Sequence, residues 1–240
     1  MSKEQIAAVC LGVKVPKGEY VTASEARRMA AGNYEGAEIR GALHVVRDGD
    51  VVLELGAGIG LVGAVIARNR AVRHVYAFEA NPDLMRACRW LYRLNRLRKR
   101  MTLRNEVMVS APERPATLPF YRDAAFRSSS LLASDRAQSV VDVPTADFNA
   151  FCLEFGPDVL VADIEGGELE LLRYADLSGF RAVVIEFHGN RYGRVGLDAC
   201  KAILLAAGFK KVKEKSTPRV WTLERGDSVQ VAEKNFAHRN

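Results

Sequence analysis

Val51-Val-Leu-Glu-Leu-Gly-Ala-Gly-Ile-Gly60 is the stretch on which the fold turns. A short apolar run, broken only by Glu54, feeds into Gly56-x-Gly58-x-Gly60, and Leu61–Arg70 continues apolar at helical length. Such a run bounded by turn residues reads as a buried strand. The glycines permit a tight turn that lets a ligand approach the backbone, and the helix start offers unpaired N–H groups. Working outward, His74–Phe78 reads as a second strand and Pro82–Arg98 as a helix with Pro82 in its first turn. Met101–Val109, Asp158–Ala162 and Ala182–Phe187 read as the third, fourth and fifth strands, with helices at Glu168–Tyr174 and Leu197–Ala207. Phe209–Lys213 and Arg219–Leu223 close the pattern as a late hairpin. Strand–helix alternation predicts an α/β doubly wound, mostly parallel sheet. Ligands of such sheets bind beyond the carboxyl ends of the strands, at the switch point.

The flanking segments read less regularly. Residues 1–49 are expected to form an N-terminal helical extension, with Ser24-Glu-Ala-Arg-Arg-Met-Ala-Ala31 as its best helix and an N-cap candidate. Residues 111–146, carrying Pro112, Pro115, Pro119 and Pro144, are expected to be an irregular insert on the substrate side of a domain spanning 50–225. Long inserts in compact domains are usually functional. Residues 226–240 are expected to be a tail.

A chain of 240 residues hides roughly 70% of its extended surface on folding, so one sizeable core is expected. A hydrophobic share of 48% with 27% charged residues excludes a disordered or collagen-like chain. No apolar run approaches the ~18 residues of a membrane span, and Met1-Ser-Lys-Glu-Gln5 lacks the layout of a secretory signal. Cys10, Cys88, Cys152 and Cys200 lie far apart without metal-ligand spacing. They suit free thiols in a reducing compartment, so a cytoplasmic location is expected. The net charge of +6 is local: residues 86–104 hold eight basic side chains and no acid, and without them the chain carries −2.

Two acids sharpen the glycine loop. Glu79 ends the second strand, where a carboxylate can accept both hydroxyls of a ribose. Glu54 precedes the first glycine by two residues, where a pyrophosphate gains nothing and a ligand bearing an amino group and a sulfonium does. S-adenosylmethionine is such a ligand. A dinucleotide fingerprint would need glycine at 61, where Leu61 stands; a dehydrogenase is the weaker reading, beside a bare turn with two solvated acids.

With Tyr76-Ala-Phe-Glu-Ala-Asn-Pro82 following, Val51–Gly60 resembles the class I S-adenosylmethionine-dependent methyltransferases. Val161-Ala-Asp-Ile-Glu-Gly-Gly-Glu168 and Val184-Ile-Glu-Phe-His188, with Gly32-Asn-Tyr-Glu35 and Ser128-Ser-Ser-Leu131, resemble the FkbM family, whose members are mostly small-molecule and sugar O-methyltransferases. The resemblance covers about residues 32–215, and Asp163-Ile-Glu-Gly166 is its most specific part. It implies a class I methyltransferase (Rossmann-like) fold, a seven-stranded sheet with an antiparallel terminal hairpin. It implies that Glu54 lies near the methionine moiety, that Gly56, Ala57, Gly58 and Gly60 wrap the cofactor, and that Glu79 holds the ribose with Asn81 close by. It places Asp163 beneath the sulfonium and Glu165 beside the transferable methyl, with Glu106 and Val107 at the adenine edge.

Removing a hydroxyl proton calls for a base, and Asp163, Glu165, Glu168, Glu186 and His188 all fall near the carboxyl ends of the fourth and fifth strands. Asp163, Glu165 and His188 are the candidate catalytic residues. Glu168 also reads as a first-turn acid favoured by the helix dipole. An acid–histidine cluster can hold Mg²⁺, but no spacing here demands a metal, and none is assigned. Arg86, Arg89, Arg93 and Arg96 share one helix face, opposite a stripe of Leu84, Cys88, Leu91, Tyr92 and Asn95 that is apolar apart from the last. That face reads as solvated or as a contact for an anionic partner. The expected partner is a hydroxyl on a small molecule or sugar, with no membrane and with homo-oligomerisation left open. An RNA-binding or RNA-methylating protein on the same scaffold is the alternative, with nucleic acid less favoured.

Overall fold

The computed structural model describes residues 6–123, 130–131 and 138–226. Ile6–Cys10 (β1) and Val13–Pro16 (β2) pair as an antiparallel hairpin. Helices Ala23–Ala30 (α1) and Gly36–Val45 (α2) follow. The helical extension expected over 1–49 therefore begins as strand. It is also no appendage, because Val13, Val15, Met29 and Ile39 share one buried cluster with Val52 and Val75 of the main sheet. The N-cap of α1 is Thr22, which forms a reciprocal capping box with Glu25, rather than Ser24.

Val51–Leu55 (β3), Leu61–Asn69 (α3) and His74–Phe78 (β4) match their expected places. The Pro82–Arg98 helix starts as a 3₁₀ turn over Pro82–Leu84, continues as Met85–Leu94 (α4), and stops before Arg96, which has φ 59. Met101–Val109 is two strands, Met101–Arg104 (β5) and Val107–Val109 (β6), in different sheets. Asn105 holds the break: its Nδ2 donates to the carbonyls of Glu79 and Ala80 at 2.8 and 3.0 Å.

The 111–146 segment differs most from expectation. Thr117–Arg122 (β7) and Ser139–Asp147 (β8) pair antiparallel, and β6 joins β8 in parallel to complete a three-stranded sheet. Its small core is Val107, Phe120 and Val143. Pro119 and Pro144 hide these strands from a sequence reading, since proline cannot donate to a ladder and is tolerated only at edges and irregular positions. Of the Ser128–Leu131 element, Ser130 and Leu131 are described; Ser128 and Ser129 lie outside the described residues, as do 227–240 of the expected tail.

Phe148–Phe155 (α5), Val159–Ala162 (β9), Glu168–Tyr174 (α6), Ala182–Glu186 (β10), Gly189–Ala206 (α7), Phe209–Lys211 (β11) and Val220–Arg225 (β12) complete the chain. Among the described residues the main sheet has seven strands in the order β11-β12-β10-β9-β3-β4-β5. All its pairs are parallel except those of β12, which runs antiparallel to β10 and β11. This is the expected doubly wound sheet with its antiparallel closing hairpin. Strand side chains alternate between faces. Val52, Val159 and Val184 pack toward the hairpin, α2, α3 and α4, whereas Leu53, Leu160 and Val183 pack toward α5, α6 and α7. Burial on both faces explains why β3 reads as a continuous apolar run. The chain leaves β3 toward β4 on one side and returns to β9 on the other, so the switch point lies beyond Leu55 and Ala162. No helix among the described residues is long and apolar enough to cross a membrane.

Asn95, the odd member of the apolar stripe, has a structural task. Its Oδ1 accepts from the Lys14 N–H and its Nδ2 donates to the Lys14 carbonyl, both at 2.8 Å, clamping β2 to the end of α4. Asn95→Ala should cost about 0.5–1.5 kcal/mol by removing these bonds. Urea denaturation would measure the loss, and the Lys14 amide should exchange faster; unchanged exchange there would refute the clamp.

Candidate active site

A cavity of about 740 Å³ opens at the switch point. Its floor is the ends of β3, β4, β9 and β10, its roof includes Val107, Leu118 and Phe120 of the three-stranded sheet, and one wall is the start of α2. The strand ends press close together. Gly56 has φ +80, and a Cβ there would lie 1.7 Å from the Asp163 carbonyl oxygen, so no side chain fits. Gly58, with φ +57, donates its N–H to Glu79 Oε2 at 2.7 Å and faces open space.

Gly56, Gly58, Glu79, Glu106, Val107, Asp163 and Glu165 line the cavity. Glu54, Ala57, Gly60, Asn81 and His188, also expected at the site, do not. Gly60 is required by packing, since a Cβ there would sit 2.7 Å from Tyr92 Cε1. Asn81 accepts from the Asp83 N–H and caps the 3₁₀ turn. Glu54 points into the helix layer: its Oε1 accepts from the Gly63 N–H at 2.8 Å, satisfying one of the free amides at the start of α3. In this structure Glu54 is a buried helix cap outside the cavity wall. An in-register β3 sends alternate side chains to opposite faces, and position 54 falls on the α3 face. Burial, with no partner for Oε2, pushes the Glu54 carboxyl up to about 8.

Glu79 is held from two sides, with Oε1 accepting from the Asn81 N–H at 2.7 Å. Burial pushes it up to about 7 against the pull of these backbone donors. Glu106 lies 3.8 Å from Arg104. Glu165 has φ 50, the left-handed region that non-glycine residues rarely occupy, and its carbonyl accepts from Ser130 Oγ at 2.8 Å. The Asp163 carboxyl is held well above the usual range, first by burial and then by Glu186, Glu35, Glu165 and Glu38.

His188 lies directly behind these acids and is 4% exposed. Its Nε2 is 3.6 Å from Asp163 Oδ1 and 3.4 Å from Glu165 Oε2, and its Nδ1 is 2.7 Å from Glu168 Oε1. Burial alone would lower its pKa; the hydrogen bond and charge of Glu168, with Glu165 and Glu186, outweigh it and raise it. Glu168 is 0% exposed and also accepts from the Gly166 N–H. Glu168 is a first-turn acid of α6, as expected, and the fold seals it behind the histidine.

The family profile described as "Methyltransferase FkbM domain" matches residues 54–211. The chain belongs to the FkbM methyltransferase family. It is an S-adenosylmethionine-dependent methyltransferase. No curated protein matches it significantly. Among solved structures, this methyltransferase is similar to a precorrin-6y C5,15-methyltransferase from Geobacter metallireducens, at 17% identity, covering 81% of this chain and 89% of the other with a TM-score of 0.47. It is also similar to a protein of the NADB-Rossmann superfamily from Streptococcus agalactiae, at 13% identity, 81% and 70% coverage and a TM-score of 0.48. A putative tRNA (m1A22) methyltransferase from Streptococcus pneumoniae matches at 13% identity, 80% and 70% coverage and a TM-score of 0.45.

Glu35 and Glu38 reach the methyltransferase's cavity from outside the matched residues. The sequence reading touched Glu35 only through the resemblance and missed Glu38. A helical spacing of three residues puts both at the start of α2, a signal that existed but needed the fold to show what α2 faces. Burial beside Glu186 pushes the Glu38 carboxyl up to about 7. Among the described residues the cavity wall carries nine carboxyl side chains against two arginines, Arg28 and Arg219.

Carboxyls whose folded pKa is raised bind protons more tightly when folded, so their stability contribution is complete below the unfolded value and is lost as pH rises through the folded one. For Glu54 that window runs from the ordinary carboxyl value of 4.5 to about 8. Glu54→Gln keeps an oxygen for the Gly63 N–H but cannot ionise. Its urea midpoint should fall less than the wild type's between pH 6 and 9; parallel curves would contradict the buried-cap assignment.

Proposed function

We propose that this methyltransferase seats S-adenosylmethionine over Gly56 and Gly58, with its ribose on Glu79 and its adenine beside Glu106 and Val107, and methylates a hydroxyl of a small molecule or sugar. The observation that carries the reading is the meeting, in one cavity, of the glycine turn and Glu79 with Asp163 and Glu165. An acidic wall suits a cationic sulfonium and amine. Ala57 and Gly60 then shape the turn without touching the cofactor.

Methyl transfer is an in-line displacement. The acceptor oxygen forms a bond to the methyl carbon while the carbon–sulfur bond breaks, its electron pair going to sulfur to leave the neutral thioether. Much of the rate comes from holding oxygen, methyl and sulfur in line in a dry site. Asp163 lies beneath the sulfonium. Glu165, on the cavity wall, accepts the hydroxyl proton; a base so placed contributes roughly 10²–10⁴-fold. His188, behind both, orients the two carboxylates.

The exposed Arg86, Arg89 and Arg93 of α4 favour a second reading, an RNA substrate. None of them lines the cavity, however, and the acidic wall would repel phosphates. A salt titration of RNA binding separates the two, since phosphate contacts give a steep loss of affinity with salt, whereas absence of RNA binding at low salt removes the second reading.

Incubating the chain with methyl-labelled S-adenosylmethionine and fractionated small molecules, sugars and RNA tests the acceptor class. Label is expected in the small-molecule and sugar fraction, released by ether-cleaving but not by ester-hydrolysing conditions; label only in RNA would overturn the proposal. The ribose hydroxyls need Glu79 ionised, and its carboxyl titrates at about 7. Cofactor affinity by calorimetry should therefore rise about tenfold from pH 6 to pH 8. Glu79→Gln should weaken binding by about 1–3 kcal/mol and flatten that profile; a preserved pH step would refute the ribose role.

A further inference from the structure

The ends of β9 and β10 bring together donors that the methyl-transfer reading uses only in part. Asp163, Glu186 and His188 each offer one ligand atom, and these atoms all lie within 4.8 Å of one another. We propose that these three side chains form a binding site for one divalent transition-metal ion, open toward the cavity.

Three observations support the site independently of the acidity of the cluster. First, the His188 side chain is 5% exposed, and its Nδ1 is fixed on Glu168 Oε1 at 2.7 Å. If Nδ1 carries the proton for that bond, the Nε2 lone pair is aimed at carboxylate oxygens 3.4 and 3.6 Å away. A lone pair facing carboxylate oxygens at that range is relieved either by a proton on Nε2 or by a cation bound between them, and the proposed site takes the cation. A buried carboxylate behind the imidazole is also the usual support of a metal-bound histidine, fixing its tautomer and raising its basicity. Second, Asp163 Oδ1 is buried and has no hydrogen-bond partner, an orphan that buried oxygens seldom tolerate. Third, one pair approaches metal-ligand spacing: ligands about 2.1 Å from one ion sit about 3.0–3.4 Å from each other, and His188 Nε2 lies 3.6 Å from Asp163 Oδ1, with the Glu186 oxygen within 4.8 Å of both.

The donor chemistry selects the ion. One imidazole with two carboxylates suits Mn²⁺, Fe²⁺ or Zn²⁺, whereas Ca²⁺ takes oxygen ligands almost alone. Arg219 holds Glu186 Oε1 at 2.6 Å, and Glu38 hydrogen-bonds the same carboxyl, so a bound ion would take the place of the proton shared by the two acids. Asp163 and Glu186 both line the cavity and His188 does not, so the ion's free positions face the space where an acceptor lies. An oxygen of the acceptor would fill one of them, and Glu165 would still take the proton.

The site goes beyond the methyltransferase reading and does not depend on it, because binding can be measured without cofactor or acceptor. Mn²⁺ added to the metal-stripped full chain, followed by the loss of its free paramagnetic resonance signal, should show one equivalent bound, with Zn²⁺ displacing it and Ca²⁺ failing to. Glu186→Gln and His188→Asn should each weaken binding at least tenfold. Glu168→Gln, which removes no ligand atom, should weaken it by about 10–100-fold through the histidine it supports, and circular dichroism melting would verify that the variants are folded. Mn²⁺ left free by the folded wild type, or bound with unchanged affinity by folded Glu186→Gln and His188→Asn, would overturn the site. Parallel calorimetry with S-adenosylmethionine keeps the two questions apart: cofactor binding without Mn²⁺ binding sinks the metal site alone, and the converse sinks the cofactor seating alone.

Discussion

The close approach of Gly56 to the carbonyl of Asp163 is the constraint around which the site is arranged. Two neighbouring parallel strands, β3 and β9, end level with one another, and the chain leaving β3 must turn within the width of that neighbour. A Cβ at 56 would penetrate the Asp163 carbonyl oxygen, so the turn exists only because the residue is glycine. The same approach sets the glycine loop against the Asp163–Glu165 loop, and hence the proposed cofactor seat against the proposed acceptor seat. Gly60 plays the complementary part, letting Tyr92 pack against the start of α3.

Charge is separated across the molecule in a way that net charge conceals. The excess of base lies on the outer face of α4 and the turn after it, while the cavity wall is lined mostly by carboxyls. Buried acids at such density raise one another's pKa and cost folding free energy as pH rises. Strain accompanies them: Glu35 and Glu165, both on the cavity wall, have φ 45 and 50 without being glycine. Backbone strain and unfavourable electrostatics gathered in one place are the pattern expected where binding a cationic ligand repays them.

The acids divide by depth. Glu79 and Glu165 face the cavity, His188 stands behind Asp163 and Glu165, and Glu168 stands behind His188. Each layer fixes the one in front of it, which is how a side chain on a loop acquires the precision of one on a strand. Glu54 belongs to none of these layers. It shares the glycine motif with the site but serves the packing of α3.

The central strands, the helices after them and the closing hairpin were legible because each carries its own periodicity, and a strand buried on both faces announces itself by apolar continuity. That Gly56, Gly58, Glu79, Asp163 and Glu165 meet at one cavity was legible because turn chemistry and strand-end position follow from local order along the chain. What the sequence by itself determined is therefore the doubly wound sheet and the end of it that binds ligand. Only the tertiary structure decided that the proline-bearing 111–146 segment pairs into a roof, that the first residues form a hairpin clamped by Asn95, that Glu54 turns away from the cavity, that Glu38 reaches it, and that Glu168 is sealed behind His188. The reason is common to all of these: pairing partners, facing and depth depend on contacts between segments distant in sequence, and the side chains involved look, in their own neighbourhoods, like ordinary solvated acids and loop residues.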